Sequence, residues 1–464
     1  MKEILWTARE AATATGGKTN GDWQATGVSI DSRTIEKGDL FIALAGENFD
    51  GHDFVIGALA KGASAALVSR KPAGIPADAP LIIVPDVAKG LWDLGVASWE
   101  RTSAKIIGVT GSVGKTGTKE AIKLALETFG KTYATAGNLN NHFGAPLSLA
   151  RMPKNAKYGV FEMGMNHAGE IAALTKLIRP HVAIITTVEA VHLEFFSGVE
   201  EIADAKSEIF LGMDENGVAV LNIDNPNFAR MKKHAENRRL KIITFGTNDN
   251  ADFRLVSYSN NAGEMHIEAA AQGEMFVYNL KVNGKHLAMN SLGTLAVVAG
   301  LGEDFRKAIP QLEQYIPAKG RGQVFEIEVN GGKALLIDDS YNASPASCRA
   351  AFEVLAARRQ PGGRTIALLG DMRELGTSSG ELHANLAQDI VAHAIDLVFT
   401  AGDLMLNLHR ALPEARRGRH YKDSAAMAEA ILPELRNNDV VMVKGSNGSK
   451  MIKVVDKLKS GILV

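Results

Sequence analysis

The sequence predicts an α/β protein of three domains built on mostly parallel sheets. Short apolar runs alternate along the chain with stretches of helical periodicity, the pattern of strands joined by crossover helices. A glycine-rich turn, Gly111-Ser112-Val113-Gly114-Lys115-Thr116, stands between one such run and one such helix. The 464 residues also exceed one ordinary core, so roughly two to four domains are expected.

Residues 1–100 read as a small α/β domain. Val28 to Ile30 and Asp39 to Leu44 are expected strands, Gly51 to Ala60 a helix, and Ala65 to Ser69 a further strand. Asp31, Ser32, Arg33 and the Gly46 to His52 loop stand at strand ends, where ligands often bind, although ordinary turn chemistry and capping are the favoured reading of them.

Residues 101–317 read as a central nucleotide-binding domain. Ile106 to Val109 fits a buried strand. Ile122, Ala125, Leu126 and Phe129 recur on one helix face, and Gly130 stands where a C-cap glycine would. Further strands are expected at Tyr158 to Phe161, Val182 to Val188, Val218 to Leu221 and Ile242 to Phe245. Between residues 253 and 282 the pattern changes to antiparallel hairpins, after which Asn290 opens an apolar helix to Leu301.

Pro317 to Gly322 marks a boundary, and residues 318–464 read as a Rossmann-like α/β domain. Its expected strands are Leu335 to Ile337, Ile366 to Leu369, Leu397 to Thr400 and Val440 to Val443.

Composition narrows the function. The chain is 46% hydrophobic and 22% charged, with 51 basic and 52 acidic residues and a net charge of −1. That balance offers no electrostatic case for nucleic acid or an anionic membrane surface. Cys348 is the only cysteine, so neither an intramolecular disulfide nor a cysteine metal cage can form. The N-terminal stretch lacks the apolar segment of a signal peptide, and no apolar run reaches the roughly 18 residues of a spanning helix. A cytoplasmic monomer is expected.

The strand, turn and helix from Lys105 to Phe129 form an anion cradle. Backbone N–H groups converge on phosphate there, Lys115 can reach the outer phosphates, and the Thr116 hydroxyl can bind Mg²⁺. The strict phosphate-loop spacing would place the first glycine at Val109, whereas the chain carries Gly108, Gly111 and Gly114. Such a loop is compatible with kinases, GTPases, ATPases and ligases alike. Glu162 and His192 follow neighbouring strands and could share its edge.

Taken together, the loop, Glu162, the His192 segment and Asn290 resemble the Mur ligase family. Longer segments resemble its D-alanyl-D-alanine-adding type: Asp31-Ser32-Arg33 with the following GDLFIALAGENFDGHDF, Asp338 to Pro345, Gly370 to Gly376, and Lys444-Gly445-Ser446. The resemblance covers nearly the whole chain. It implies a UDP-sugar-binding domain, an ATP-binding domain and a ligase domain. The implied reaction joins D-alanyl-D-alanine to UDP-N-acetylmuramoyl-tripeptide through an acyl phosphate, using ATP and Mg²⁺. A ligase adding another amino acid to the same carrier, or an ATP-dependent switch protein, is the alternative.

By the same resemblance, Gly111, Ser112, Val113, Gly114, Lys115, Thr116 and Gly117 cradle phosphate. Asn290, Arg321 and Asp339 hold the rest of the nucleotide. Thr116, Glu162, His192 and a carbamylated Lys206 arrange the metal, with Lys115, Glu162, His192 and Lys206 catalytic. Ser29, Asp31, Ser32, Arg33, Asn138, Asn140, Asn141, Tyr341, Asn342, Lys444 and Ser446 contact substrate. Three positions depart from the family pattern. Gly117 replaces a Ser or Thr, Ser344 an Asn, and Asn447 an Arg that would follow Lys-Gly-Ser.

Overall fold

Parallel strands buried on both faces must be apolar throughout, and the runs identified above meet that demand. In the computed structural model, which describes residues 3–46, 48–261 and 264–461, they form three sheets and one short strand pair.

The N-terminal sheet runs Lys18–Thr19, Leu81–Ile83, Ala65–Val68, Asp39–Ile42, Gly27–Ser29, and only its first pair is antiparallel. Trp6–Thr7 and Gln24–Ala25 pair separately. This unit is seated on the central one. The Trp6 indole donates to Ala150 O at 2.8 Å, Ser98 Oγ to Leu149 O at 2.6 Å, and Leu147 and Ala150 join the N-terminal core.

The central sheet has nine strands. Its order is Glu274–Leu280, Glu264–Ala271, Phe253–Asn261, Lys241–Gly246, Val218–Asn222, Val182–Ile185, Lys105–Thr110, Tyr158–Glu162, Thr132–Ala134. The three strands from Phe253 to Leu280 pair antiparallel with one another, and every other pairing is parallel. The helix Lys115–Leu126 packs Ala121, Ile122, Ala125 and Leu126 on one face of the sheet. Phe161, Ile178 and Ile209 belong to the core on the other face.

The C-terminal sheet runs Gln323–Val329, Gly332–Asp339, Val440–Lys444, Thr365–Gly370, Leu397–Ala401, Arg417–Tyr421, parallel except for its first pair.

Several boundaries differ from expectation, and three of them bear on the site. The helix after the loop stops at Leu126 rather than Phe129, and the chain beyond it tightens, the Phe129 N–H reaching Leu126 O in a three-residue step. The strand from Val182 stops at Ile185 rather than Val188. Thr186 N still bonds Thr110 O at 3.0 Å, but beyond it the chain turns to hold the glycine loop: Thr186 Oγ1 donates to Val113 O at 2.6 Å, and Ser112 N to Thr187 O at 2.8 Å. The apolar helix begins at Lys285, after Gly284, and ends at Gly300, so Asn290 lies inside it rather than opening it.

Gly108 also acquires a different reason. It lies within the strand Lys105–Thr110, where a Cβ would meet Met163 Cε and Pro180 Cγ at 2.8 Å each. It is a packing glycine, not part of the cradle. Gly108→Ala should cost about 1–3 kcal/mol in urea unfolding while leaving the KM for nucleotide of the folded fraction unchanged.

Candidate active site

The loop is shaped by two glycines in the left-handed half of backbone space, Gly111 at φ 147° and Gly114 at φ 86°. A Cβ on Gly111 would fall 2.0 Å from Thr186 Oγ1, and one on Gly114 2.8 Å from Asn290 Nδ2. Only glycine lets the loop nest between these side chains. The helix Lys115–Leu126 has no side-chain cap, so its first N–H groups face the loop, the arrangement that binds anions. Lys115 Nζ folds over the loop, donating to Gly111 O at 2.8 Å. Burial pulls its pKa down, the Glu162 charge opposes that shift, and Arg321 adds to it.

Glu162 ends its strand 1% exposed, with both carboxylate oxygens engaged. Thr116 Oγ1 donates to one at 2.8 Å and Asn140 Nδ2 to the other at 2.8 Å. Thr135 Oγ1 accepts from the Glu162 N–H at 3.3 Å. The buried Lys119 anchors the same wall, its ammonium donating to Thr135 O at 2.5 Å and Gly137 O at 3.2 Å.

Lys206 lies in the helix Val199–Ser207, 2% exposed. Burial, and secondarily the charge of Lys115, holds its pKa well below the usual lysine value. Among the described residues no carboxylate or hydrogen-bond acceptor partners its amine, whose ordinary protonated form is therefore disfavoured here.

His192 adopts φ 55° and points its Nδ1 at Glu374 Oε2, 2.6 Å away on the C-terminal unit. Sequence reasoning did not find this partner, although Glu374 lies in the Gly370 to Gly376 segment.

The opposing wall comes from the C-terminal sheet. Asp339 and Lys444 are partners on adjacent parallel strands, and Lys444 Nζ donates to Asp339 Oδ2 at 2.6 Å and to Asn342 O at 3.1 Å. Arg321 lies over the Tyr341 ring, 4.2 Å from its centroid. Ser446 Oγ accepts from Arg373 N at 2.9 Å, tying two loops together, and makes no capping bond to the short helical turn after it.

These walls enclose a cleft of about 1150 Å³. Ser112, Val113, Gly114, Lys115, Thr116, Gly117, Asn138, Asn140, Glu162, His192 and Asn290 line one side, and Arg321, Asp339, Tyr341, Asn342, Lys444 and Ser446 the other. Gly111, Asn141 and Lys206 lie outside the lining. Asn141 instead serves the helix Gly144–Ala150, its Oδ1 accepting from Gly144 N at 2.9 Å. Ser29, the last residue of a strand in the N-terminal sheet, and Asp31, Ser32 and Arg33 in the turn after it do not line the cleft. There the Arg33 guanidinium and backbone N–H hold the Asp31 carboxyl down to about 2, and Ser29 Oγ accepts from Asp31 N at 3.2 Å.

Among the described residues no three or more His, Cys, Asp or Glu side chains converge as a metal cage. The donors beside the loop are the oxygens of Thr116 and Glu162, a set that suits Mg²⁺ with waters and substrate oxygens completing its shell.

Gly117 also has a local reason. A Cβ there would stand 3.1 Å from the hydroxyl of Tyr315, whose pKa burial pushes up to about 12. No motif announces Tyr315.

A parallel sheet with this loop at its carboxyl edge, facing a large cleft, defines a phosphate-loop nucleotide-binding protein. Three domain models match in order: the Mur ligase family catalytic domain over residues 24–98, the Mur ligase middle domain over 109–298, and the Mur ligase glutamate ligase domain over 320–447. The chain belongs to the Mur ligase family. It is 33% identical over 454 residues to the UDP-N-acetylmuramoyl-tripeptide–D-alanyl-D-alanine ligase of Rickettsia prowazekii, covering 98% of this chain and 99% of the relative. The Escherichia coli enzyme of the same name is 34% identical, with 95% and 96% covered. Among solved structures, MurF from Acinetobacter baumannii superposes with a TM-score of 0.85 at 30% identity, covering 98% and 99%. MurF from Thermotoga maritima, solved in complex with ADP, gives 0.78 at 30% identity, with 94% and 97% covered.

Gly117→Ser should lower stability by about 1 kcal/mol in the native background and by less when combined with Tyr315→Phe. Thermal melts of the two single variants and the double variant check this. Equal losses in both backgrounds would mean that Tyr315 is not the neighbour that matters.

Proposed function

We propose that the protein joins D-alanyl-D-alanine to UDP-N-acetylmuramoyl-tripeptide with hydrolysis of ATP to ADP and phosphate. The observation that carries this reading is the end-to-end match to ligases of that name. The cleft between two sheet edges adds physical support. We assign residues 1–100 to the UDP-sugar end of the substrate, 101–317 to ATP, and 318–464 to the acceptor and domain closure. The reaction belongs in the cytoplasm, where ATP is held and Cys348 stays reduced.

The tripeptide carboxylate attacks the γ-phosphorus, the bond to the bridging oxygen breaks, and ADP leaves. The amine of the dipeptide then attacks the acyl-phosphate carbonyl, loses its proton, and phosphate leaves. Two anions must meet in the first step. The loop N–H groups and Lys115 offset their repulsion and the charge developing on the transferring group. To do so, Lys115 exchanges Gly111 O for phosphate oxygens. Asn290 lies beside Gly114 to hold the base, while Arg321 and Asp339 approach phosphate and ribose from the other wall. Asn138 and Asn140 face the tripeptide. Tyr341, Asn342, Lys444 and Ser446 face the dipeptide. Ser29, Asp31, Ser32 and Arg33 would receive the nucleotide-sugar end.

Thr116 and Glu162 would hold Mg²⁺, with His192 and Lys206 serving a second ion. When bound, these ions supply charge neutralisation at the phosphates. His192 would first exchange Glu374. The buried, unpartnered amine of Lys206 favours its neutral, nucleophilic form, the form that adds CO₂ to become a carbamate. That conversion replaces a cation with oxygen donors suited to Mg²⁺.

With both substrates and Mg·ATP, mass spectrometry should find the pentapeptide product, and phosphate release should depend on D-alanyl-D-alanine. Phosphate release without the dipeptide and without that product would sink the ligase reading. Lys206→Ala should lower kcat by roughly a hundredfold or more, with partial recovery on adding a short carboxylate such as acetate. An active variant indifferent to acetate would rule out the carbamate.

A further inference from the structure

A dipeptide acceptor attacks through its amine, so its far carboxylate must be held if the amine is to be aimed. That carboxylate needs a cation, and two candidates on its wall are already occupied. Lys444 is paired with Asp339, and Arg321 lies over Tyr341. Position 447, next to Ser446, carries only an amide.

Arg373 stands beside this gap. Its backbone N–H donates to Ser446 Oγ, which brings the loop after Thr365–Gly370 against the loop after Val440–Lys444. Its side chain then lies against Gly448. A Cβ at 448 would stand 2.8 Å from both Cζ and Nη1 of Arg373 and 2.9 Å from Nε. Arg373, Ser446, Asn447 and Gly448 all line the cleft.

The neighbouring acids are turned elsewhere. Glu374 faces His192, and Asp371 Oδ1 accepts from Met405 N at 2.8 Å. Among the described residues no carboxylate pairs with the Arg373 guanidinium. The Asp371 charge is felt at Arg373 without a direct contact, so the planar fork is left free to grip a carboxylate in the cleft with two hydrogen bonds.

We propose that Arg373 binds the terminal carboxylate of the dipeptide acceptor, with Gly448 as the surface on which its guanidinium rests. The assignment rests on the ligase reading and adds a specificity: the acceptor must carry a free C-terminal carboxylate.

The test is steady-state kinetics of the full chain with D-alanyl-D-alanine and with its C-terminal amide. Arg373→Ala should raise the KM for D-alanyl-D-alanine about ten- to a hundredfold, with kcat and the KM values for ATP and the tripeptide nucleotide little changed. The native preference for the free acid over the amide should vanish in Arg373→Ala and survive in part in Arg373→Lys. Gly448→Ala keeps the charge but displaces the guanidinium, and should raise the same KM by a smaller factor. An Arg373→Ala enzyme that still prefers the free acid, or whose loss falls on ATP or the tripeptide nucleotide, overturns the assignment. A native enzyme that forms no pentapeptide fails the ligase reading itself, and this assignment with it.

Discussion

Two lysine charges held away from bulk water set the electrostatic problem on which this site depends. Burial lowers the pKa of both Lys115 and Lys206, the charge of Lys115 lowers that of Lys206 further, and Glu162 opposes the shift at Lys115. Charges removed from water must be compensated by partners or by neutralisation. The protein's own groups do this incompletely, and the cleft is left with an appetite for anions. Glu162 is also a mechanical tie. Its bonds to Thr116 and Asn140 join the loop helix, the strand end and the Asn138 segment, so the charge balance and the shape of the cradle depend on the same carboxylate.

The folding pattern explains why so many polar groups meet. In parallel sheets the strands end on one side, and the loops beyond those ends share a crevice. The glycine loop follows Thr110, Glu162 closes its own strand, and Thr186 and Thr187 follow Ile185. The C-terminal sheet does the same with Asp339, Arg373 and Ser446. The cleft is the meeting of two such edges, bridged by His192 to Glu374 and by the Tyr258 hydroxyl to Glu353 Oε1 at 3.0 Å.

Much of this organisation was legible in the sequence, because buried parallel strands must be apolar and a phosphate loop must be glycine-rich. The strands at Ile106, Tyr158, Val218 and Ile366 fall where apolar runs put them. The errors have physical causes. Thr186-Thr187-Val188 has strand-forming residues, but the threonines serve the loop. The helix at Lys285 starts after a glycine with no side-chain cap, so no start signal precedes Asn290. Strands of two residues, such as Lys18–Thr19, and the polar edge strand Arg417–Tyr421 carry no apolar run. Pairings such as His192 with Glu374, 182 residues apart, and the crowding of Gly117 by Tyr315 depend on tertiary placement that local pattern does not encode.

The pairing of Asp339 with Lys444 has a thermodynamic consequence. Because they are register partners on adjacent strands, neither can move without the other, and any swing of the C-terminal sheet about the Pro317 to Gly322 connection carries both as one body. A molecule gripping Asp339 and a molecule resting near Lys444 thus act on one rotational coordinate. Where both favour the same angle their affinities are coupled, and reciprocity makes that coupling equal in either direction.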